Sequence, residues 1–532
     1  MSFYVSPGVY VRERDISAIV PNLATTIGGL VGYSKRGDID DIQLITNTQQ
    51  FIDEYGKPEA GDYFHYAALA FLENGNKLYC LRVVNGALYG GIKIMESASG
   101  DSNEALTTGV SAPAFTTVSG EDILFYIFAK DPGAWNDKIG IKITNLDAVN
   151  YEFDIEVYME DDDGNDIQME SWTVSRKTKL DGYGKQMYLE TKINGYSKYI
   201  VVEDSTTVDT TMPKEQATVL NTDGGDDGSA ATSSEINTGW DSFANPDDVD
   251  VRILIEEGYA STATAAAVQG KMKTIAEARK DCIAVLSIPS EAIGSVANMV
   301  TYRDTTQNFN SSYCAIYAPW VKIYDQYTDS VLEVPPAGYA ASMMAYNDYV
   351  ADPWYAPAGA KRGLLNILGV TDVFTSGERD TLYAAEINPV QTFRGEGSMI
   401  WGQKTERTTK SALDRVNVRR LLITIEKAMS VYLREYLFEP NNEITRFRVT
   451  SVLEQYLDNI SARGGFQTEA GDKGFSVVCD ETNNTPQTID LNELHVDVFI
   501  KPIRMAEFIQ LQAIITTTGA SFNELIARGV MF

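Results

Sequence analysis

An α/β pattern stops near residue 95 and resumes after residue 250, and the acidic stretch between is the feature that most constrains the fold. From 101 to 250 there are 30 Asp and Glu against 10 Lys and Arg, so this stretch holds two thirds of the chain's formal charge of -30. A segment so charged stays solvated, and reads as a separate unit inserted into a discontinuous domain. Within it, YEFDIEVYME puts Tyr151, Phe153, Ile155 and Val157 on one face and Glu152, Asp154 and Glu156 on the other, the period of a half-buried antiparallel strand. NTDGGDDGSAATSSE, 221–235, reads as a linker with too little apolar content to hold a fixed shape.

The flanks alternate strand and helix. TTIGGLVGY is an apolar strand, LITNTQQFIDEYG a strand and a helix start, YFHYAALAFLENG a helix with a glycine stop, and KLYCLRVV a strand. After the insert, MKTIAEARKDCIAVLSIPS is a helix feeding a strand at Cys282–Ile288, whose continuous hydrophobicity fits cover on both faces; SSYCAIYAPWVKIYD reads as another. Two amphipathic helices follow, one from Val418 with Leu421, Ile425, Ala428, Met429 and Tyr432 on its apolar side, one with Val449, Leu453, Leu457 and Ile460. The expected fold is α+β and multi-domain: an arm at 1–20, a discontinuous α/β domain at 21–95 plus 251–380, an inserted acidic β-rich domain at 96–250, an α+β C-terminal domain at 381–508 and a second arm at 509–532.

Little here builds an active site. The two histidines, His65 and His495, lie far apart without a Cys or acidic cluster at ligand spacing, so no catalytic residue, metal site or cofactor is expected. Cys80, Cys282, Cys314 and Cys479 lack the spacing of a disulfide framework and read as buried thiols. DDDGND, 161–166, approaches a calcium loop, but Asp166 stands where Gly is needed and Trp172 where Glu is needed, so a hairpin turn is expected. Gly28, Gly29 and Gly32 match neither a dinucleotide nor a Walker pattern. Arg415, Arg419 and Arg420 form a basic run that reads as a salt-bridged helix face, or as an interface for an acidic partner. The net charge argues against nucleic acid as a partner, and the lack of about 18 consecutive apolar residues against membrane insertion. The first residues lack a secretory signal pattern, so assembly in the cytoplasm is expected.

Both ends are extended and apolar: Phe3, Tyr4, Val5, Val9 and Val11 at one, Ile509, Leu511 and Ala513 at the other. An isolated strand buries too little surface to offset its ordering entropy, so such arms are either disordered or paired with another subunit's sheet, and the expectation here is a polymer.

The segments SPGVYVRERD, TTIGGLVGYSKRGDIDDIQLITNTQQFIDEYG, FLENGNKLYCLRVV, DPGAWNDKIGIKI, VPPAGYAASMMAYNDYVADPWYAPAGAKRG, EINPVQTFRGEGSMIWGQKT and FEPNNEITRFRV, in this order, resemble the contractile-tail sheath family, most closely the sheaths of myoviruses. The resemblance covers nearly the whole chain outside about 145–245. It implies a non-enzymatic virion subunit that stacks as sixfold rings around an inner tail tube, with baseplate and tail terminator proteins as further partners. It also implies arms that add strands to neighbours' C-terminal domains, and a tube-facing C-terminal domain with Arg446, Arg448, Glu454 and Asp458 as candidate contacts. A bacteriocin or secretion-type sheath is the alternative within the fold; a carbohydrate- or surface-binding protein working through the acidic insert is the alternative outside it.

Overall fold

A computed structural model describes residues 26–39, 41–118, 121–161, 163–205 and 210–511. The arm residues Phe3, Tyr4, Val5, Val9, Val11 and Ala513 therefore lie outside the described residues.

A nine-stranded sheet organises the chain. Its six central strands are parallel, in the order Ile387–Phe393, Cys314–Ala318, Ile283–Ser287, Ile253–Ile255, Ile27–Tyr33 and Lys77–Val83, with short antiparallel strands at both edges. Successive residues point to opposite faces, so Leu30, Ile255, Val285 and Tyr317 enter one core while Val31, Leu254, Leu286 and Ile316 enter the other. The helices Tyr63–Leu72 and Ala337–Val350 cover the first face, and Ser233–Asp241 and Thr262–Arg279 the second. Cover on both faces is why these strands are hydrophobic at every position.

The insert begins earlier and ends earlier than the charge pattern suggests. Gly91–Met95 pairs with Ile123–Ala129 inside the insert, so it does not belong to the α/β domain. At the other end, a Cβ on Gly239 would stand 2.7 Å from both Val31 and Val83, which puts the Ser233–Asp241 helix directly on the main sheet, with Trp240 and Phe243 in its core. The crossing segments run side by side, through bridges of Asn85 with Ser229, Leu88 with Asp226 and Gly91 with Asp223. The expected shapeless linker is thus a paired strap: its backbone supplies the hydrogen bonds that its side chains cannot, and Gly224, at φ 89°, allows a close approach to Gly109. Two four-stranded antiparallel sheets make up the insert around Ile127, Ile141, Phe153, Ile155 and Val157; Tyr151 sits in the turn before its strand.

Two further differences concern the last third. The run SSYCAIYAPWVKIYD breaks at Pro319, which cannot donate to a ladder; Cys314–Ala318 stays in the main sheet and Val321–Asp325 pairs antiparallel with Ser330–Val334. The strands Ile387–Phe393 and Gly397–Ile400 complete the main sheet, so the C-terminal unit starts after residue 400 rather than at 381. That unit packs the helices Val416–Leu433 and Glu443–Ala462 against one another through Leu421, Ile425, Met429, Val449, Leu453 and Leu457. A two-stranded sheet, Phe475–Val478 with Asp497–Ile500, lies over the pair.

Because Asn85 and Ser229 are bridge partners, joining them directly removes the insert without stretching the chain. We expect a 86–228 deletion to melt in one cooperative calorimetric transition; a broad or absent transition would show that the α/β domain needs the insert to fold.

Candidate functional site

Open α/β sheets bind ligands at the carboxyl ends of the strands where strand order reverses, here between Ile27–Tyr33 and Ile253–Ile255. The chain fills that crevice itself. Glu257 accepts a hydrogen bond from the Tyr33 N–H at 3.2 Å, and a Cβ on Gly32 would stand 2.1 Å from the same carboxylate oxygen. Glu256 beside it accepts from Ser287 N–H at 2.6 Å and from the Gln269 amide at 3.0 and 3.2 Å. Gly28 and Gly29 leave room for Leu78 and Phe243 side chains, not for a phosphate.

Burial raises both carboxyl groups from 4.5 to about 8. An acid whose folded pKa is raised stabilises fully below its unfolded value and loses that contribution as pH climbs through the folded one. Glu257→Gln keeps an acceptor for Tyr33 and removes the titration. It should match the parent near pH 4.5 and exceed it by about 2 to 4 kcal/mol above pH 8 in urea unfolding. Equal stabilities at both pH values would contradict this.

The other sequence candidates are also absorbed by structure. Asp161 accepts from the backbone N–H groups of Asp163 and Asn165 at 2.9 and 2.8 Å, spending its carboxylate inside a hairpin turn. His65 is buried between Phe51 and Phe64, with burial lowering its pKa, and His495 contacts Glu493 at 2.9 Å. All four cysteines are buried and free. The arginine run is not open to an acidic partner. Arg420 makes a two-pronged bond to buried Asp348 at 2.6 and 2.9 Å, Arg419 lies 4.1 Å over the Tyr313 ring, and Arg415 binds Glu507 through both oxygens at 2.6 and 2.9 Å. A helix starting at Val416 faces the α/β domain with these positions, which periodicity alone does not reveal.

What remains unfinished is the two-stranded sheet of the C-terminal unit. Among the described residues each of its strands has a partner on one side, leaving an edge row of N–H and C=O groups on the other. A groove lies beside each strand. One, of about 600 Å³, is lined by Leu422, Ile425, Met429, Leu453, Val496 and Val498; the other, of about 950 Å³, by Ile444, Arg446, Phe447, Val477, Cys479 and Asp480.

The structure separates the four tube-facing candidates. Arg448 and Glu454 are exposed on the outer face of the Glu443–Ala462 helix, and Asp458 on the same side pairs with Lys473 at 2.9 Å. Arg446 is not on that face: two residues are about 200° of helix turn, so it points inward and is only 8% exposed. It therefore cannot meet a partner on the outer face. Ile509 and Leu511 are 88% and 91% exposed, at the end of an extended stretch anchored by Glu507.

Residues 229–406 match the phage tail sheath protein central domain, and 408–516 match the phage tail sheath C-terminal domain. The chain belongs to the phage tail sheath family. The tail sheath protein of Enterobacteria phage T4 is 34% identical over 380 residues, covering 68% of this chain and 56% of that protein. The tail sheath protein of Vibrio phage KVP40 is 34% identical over 336 residues, covering 59% and 49%. The chain thus spans about half the length of the curated relatives it matches. In fold it is similar to the sheath of an extracellular contractile injection system, PVC, in its contracted state, with a TM-score of 0.55 at 16% identity over 97% of this chain and 98% of that one. The helical sheath of the anti-feeding prophage in its contracted state gives 0.54 at 15% identity, over 96% and 98%. Both matched family domains meet near residue 407, in agreement with the end of the main sheet at Ile400.

Proposed function

We propose that this chain is the structural subunit of a contractile phage tail sheath, which polymerises around an inner tube and shortens to drive that tube through the host envelope. The observation that carries this reading is the two-stranded sheet with an open edge and a groove on each side, in a chain whose two ends are apolar and extended in pattern. An edge strand left in water is an aggregation hazard unless it has a designated partner, and strand addition supplies one through main-chain hydrogen bonds. Arms from neighbouring copies are the designated partners here, and act as tethers while the bodies of the subunits change contacts.

Charge fits the radial order that follows. From 401 onward there are 15 Lys and Arg against 17 Asp and Glu, so this unit can pack closely toward the tube, while the acidic insert stays in solvent. Contraction draws on contacts, not on fuel: each additional 300 Å² or so of apolar surface buried per subunit contributes roughly 7 kcal/mol before ordering costs. Assembly takes place in the host cytoplasm on a baseplate, a terminator closes the far end, and the product is part of the virion. The phage reading is preferred over a bacteriocin or secretion sheath because the 34% identical relatives are phage proteins, whereas the two contracted injection-system sheaths share 16% and 15%.

Removal of residues 1–15 should leave a folded monomer that no longer forms tubes in negative-stain images; normal tubes would refute the arm exchange. On the tube side, Arg448→Glu should lower co-sedimentation with the inner tube protein while sheath self-assembly continues. Unchanged co-sedimentation would move the tube contact away from the outer face of the Glu443–Ala462 helix.

A further inference from the structure

Asparagine followed by glycine is the pair most prone to spontaneous deamidation, because a residue without a side chain leaves its nitrogen open to the asparagine's own carboxamide carbon. The chain has three such pairs, Asn74-Gly75, Asn85-Gly86 and Asn194-Gly195, and the structure treats them differently. Gly75 is buried and its N–H donates to the Phe71 carbonyl at 2.8 Å, while Asn74 Nδ2 donates to Ser342 Oγ at 2.9 Å, so neither reacting group is free. Gly195 has an open N–H, but both ends of the Asn194 amide clasp the strand Ile200–Asp204: Nδ2 donates to the Val202 carbonyl and Oδ1 accepts from the Val202 N–H, each at 2.8 Å. Asn85 has no such hold. Its Nδ2 reaches the Ala230 carbonyl only at 3.4 Å, and its Oδ1 accepts nothing among the described residues. Gly86 is exposed at φ 75°, its N–H meets no acceptor among the described residues, and a Cβ there would find nothing within 4 Å. One backbone bond restrains the pair, from Ser229 N–H to the Asn85 carbonyl at 2.9 Å, and it belongs to an isolated bridge rather than to a ladder.

We infer that Asn85 is the pair's reacting member that deamidates in the folded protein, and that the change loosens the neck joining the insert to the α/β domain. The Gly86 nitrogen attacks Asn85 Cγ and gives up its proton, the carboxamide nitrogen leaves as ammonia, and a cyclic succinimide forms. Water, the only co-reactant, then opens the ring at either carbonyl. Opening at the main-chain carbonyl leaves isoaspartate, whose peptide bond runs through the side chain and lengthens the backbone by one carbon; opening at the other leaves Asp at position 85. No enzyme is needed, so the change accumulates for as long as the subunit stands folded.

Either product puts a carboxylate where a neutral amide stood, opposite a strap that already carries Asp223, Asp226 and Asp227. The cations whose charge reaches Asp227 are engaged elsewhere: Arg82 gives its guanidinium to the carbonyls of Ser34, Lys35, Gly37 and Pro132, and Lys35 pairs with Glu59 at 2.7 Å. The added charge is therefore repelled by the strap. Isoaspartate also shifts the Asn85 carbonyl away from Ser229 N–H, and so weakens the first of the three bridges that close the neck, Asn85 with Ser229, Leu88 with Asp226 and Gly91 with Asp223.

The test is peptide mapping by mass spectrometry of the full-length protein after prolonged incubation in mildly alkaline buffer, folded and in urea, with each pair compared with its own rate in the unfolded chain. Asn85 should react in the folded protein at close to its unfolded rate, whereas Asn74 and Asn194 should be slowed by about 5-fold or more. Equal slowing of all three, or less slowing at Asn74 or Asn194 than at Asn85, overturns the assignment. Amide hydrogen exchange at Ser229 should then rise in the aged protein, and Asn85→Gln, which keeps an amide but cyclises far more slowly, should prevent the rise. Unchanged exchange at Ser229 in protein that carries isoaspartate at position 85 overturns the effect on the neck, and so does an equal rise in the aged Asn85→Gln variant.

Discussion

Six parallel strands buried on both faces leave a chain few places to add structure, because anything laid on the sheet would displace the helices that keep it dry. Additions therefore leave from strand ends and edges. The insert departs just after Lys77–Val83 and returns through the paired strap at 222–229, while the C-terminal unit follows the antiparallel strand Gly397–Ile400, next to the sheet's edge. The sheet thus carries an acidic unit and a near-neutral unit as separate attachments.

The attachments differ in how firmly they are held. Lys427 of the Val416–Leu433 helix reaches Asp281 at 2.9 Å and Asp250 at 3.5 Å, and Asp281 is already bound by Arg279 at 2.9 Å. Arg420 ties the same helix to Asp348 of Ala337–Val350. Breaking either contact strands a largely buried charge, so the α/β domain and the C-terminal helices should move as one piece. Glu507, clamped to Arg415, ties the stretch that follows Ile500 to the start of the Val416–Leu433 helix.

Much of the fold was legible in periodicity. TTIGGLVGY read as an apolar strand, Cys282–Ile288 as a strand covered on both faces, and the Val449, Leu453, Leu457 and Ile460 stripe as a helix face, and the structure has each of them. Boundaries were not legible from charge. Ser233–Asp241 lies within an acidic stretch yet buries Trp240 and Phe243 in the main core, because burial follows the few large apolar residues and not the average charge around them. Gly91–Met95 reads equally well as a strand of either unit, and only its pairing with Ile123–Ala129 decides.

The sequence by itself determined the family, the two-sided sheet and the separate acidic unit, since these follow from local pattern and residue type. Only the tertiary structure decided which arginines are available to a partner. Arg419, Arg420 and Arg446 look as solvated in the sequence as Arg448, but three of them face packed elements and one faces water. Periodicity fixes the angle between two side chains on a helix, whereas what covers each angle depends on elements distant in the chain: Tyr313 and Asp348 for the first pair, and the Phe475–Val478 side of the C-terminal unit for Arg446.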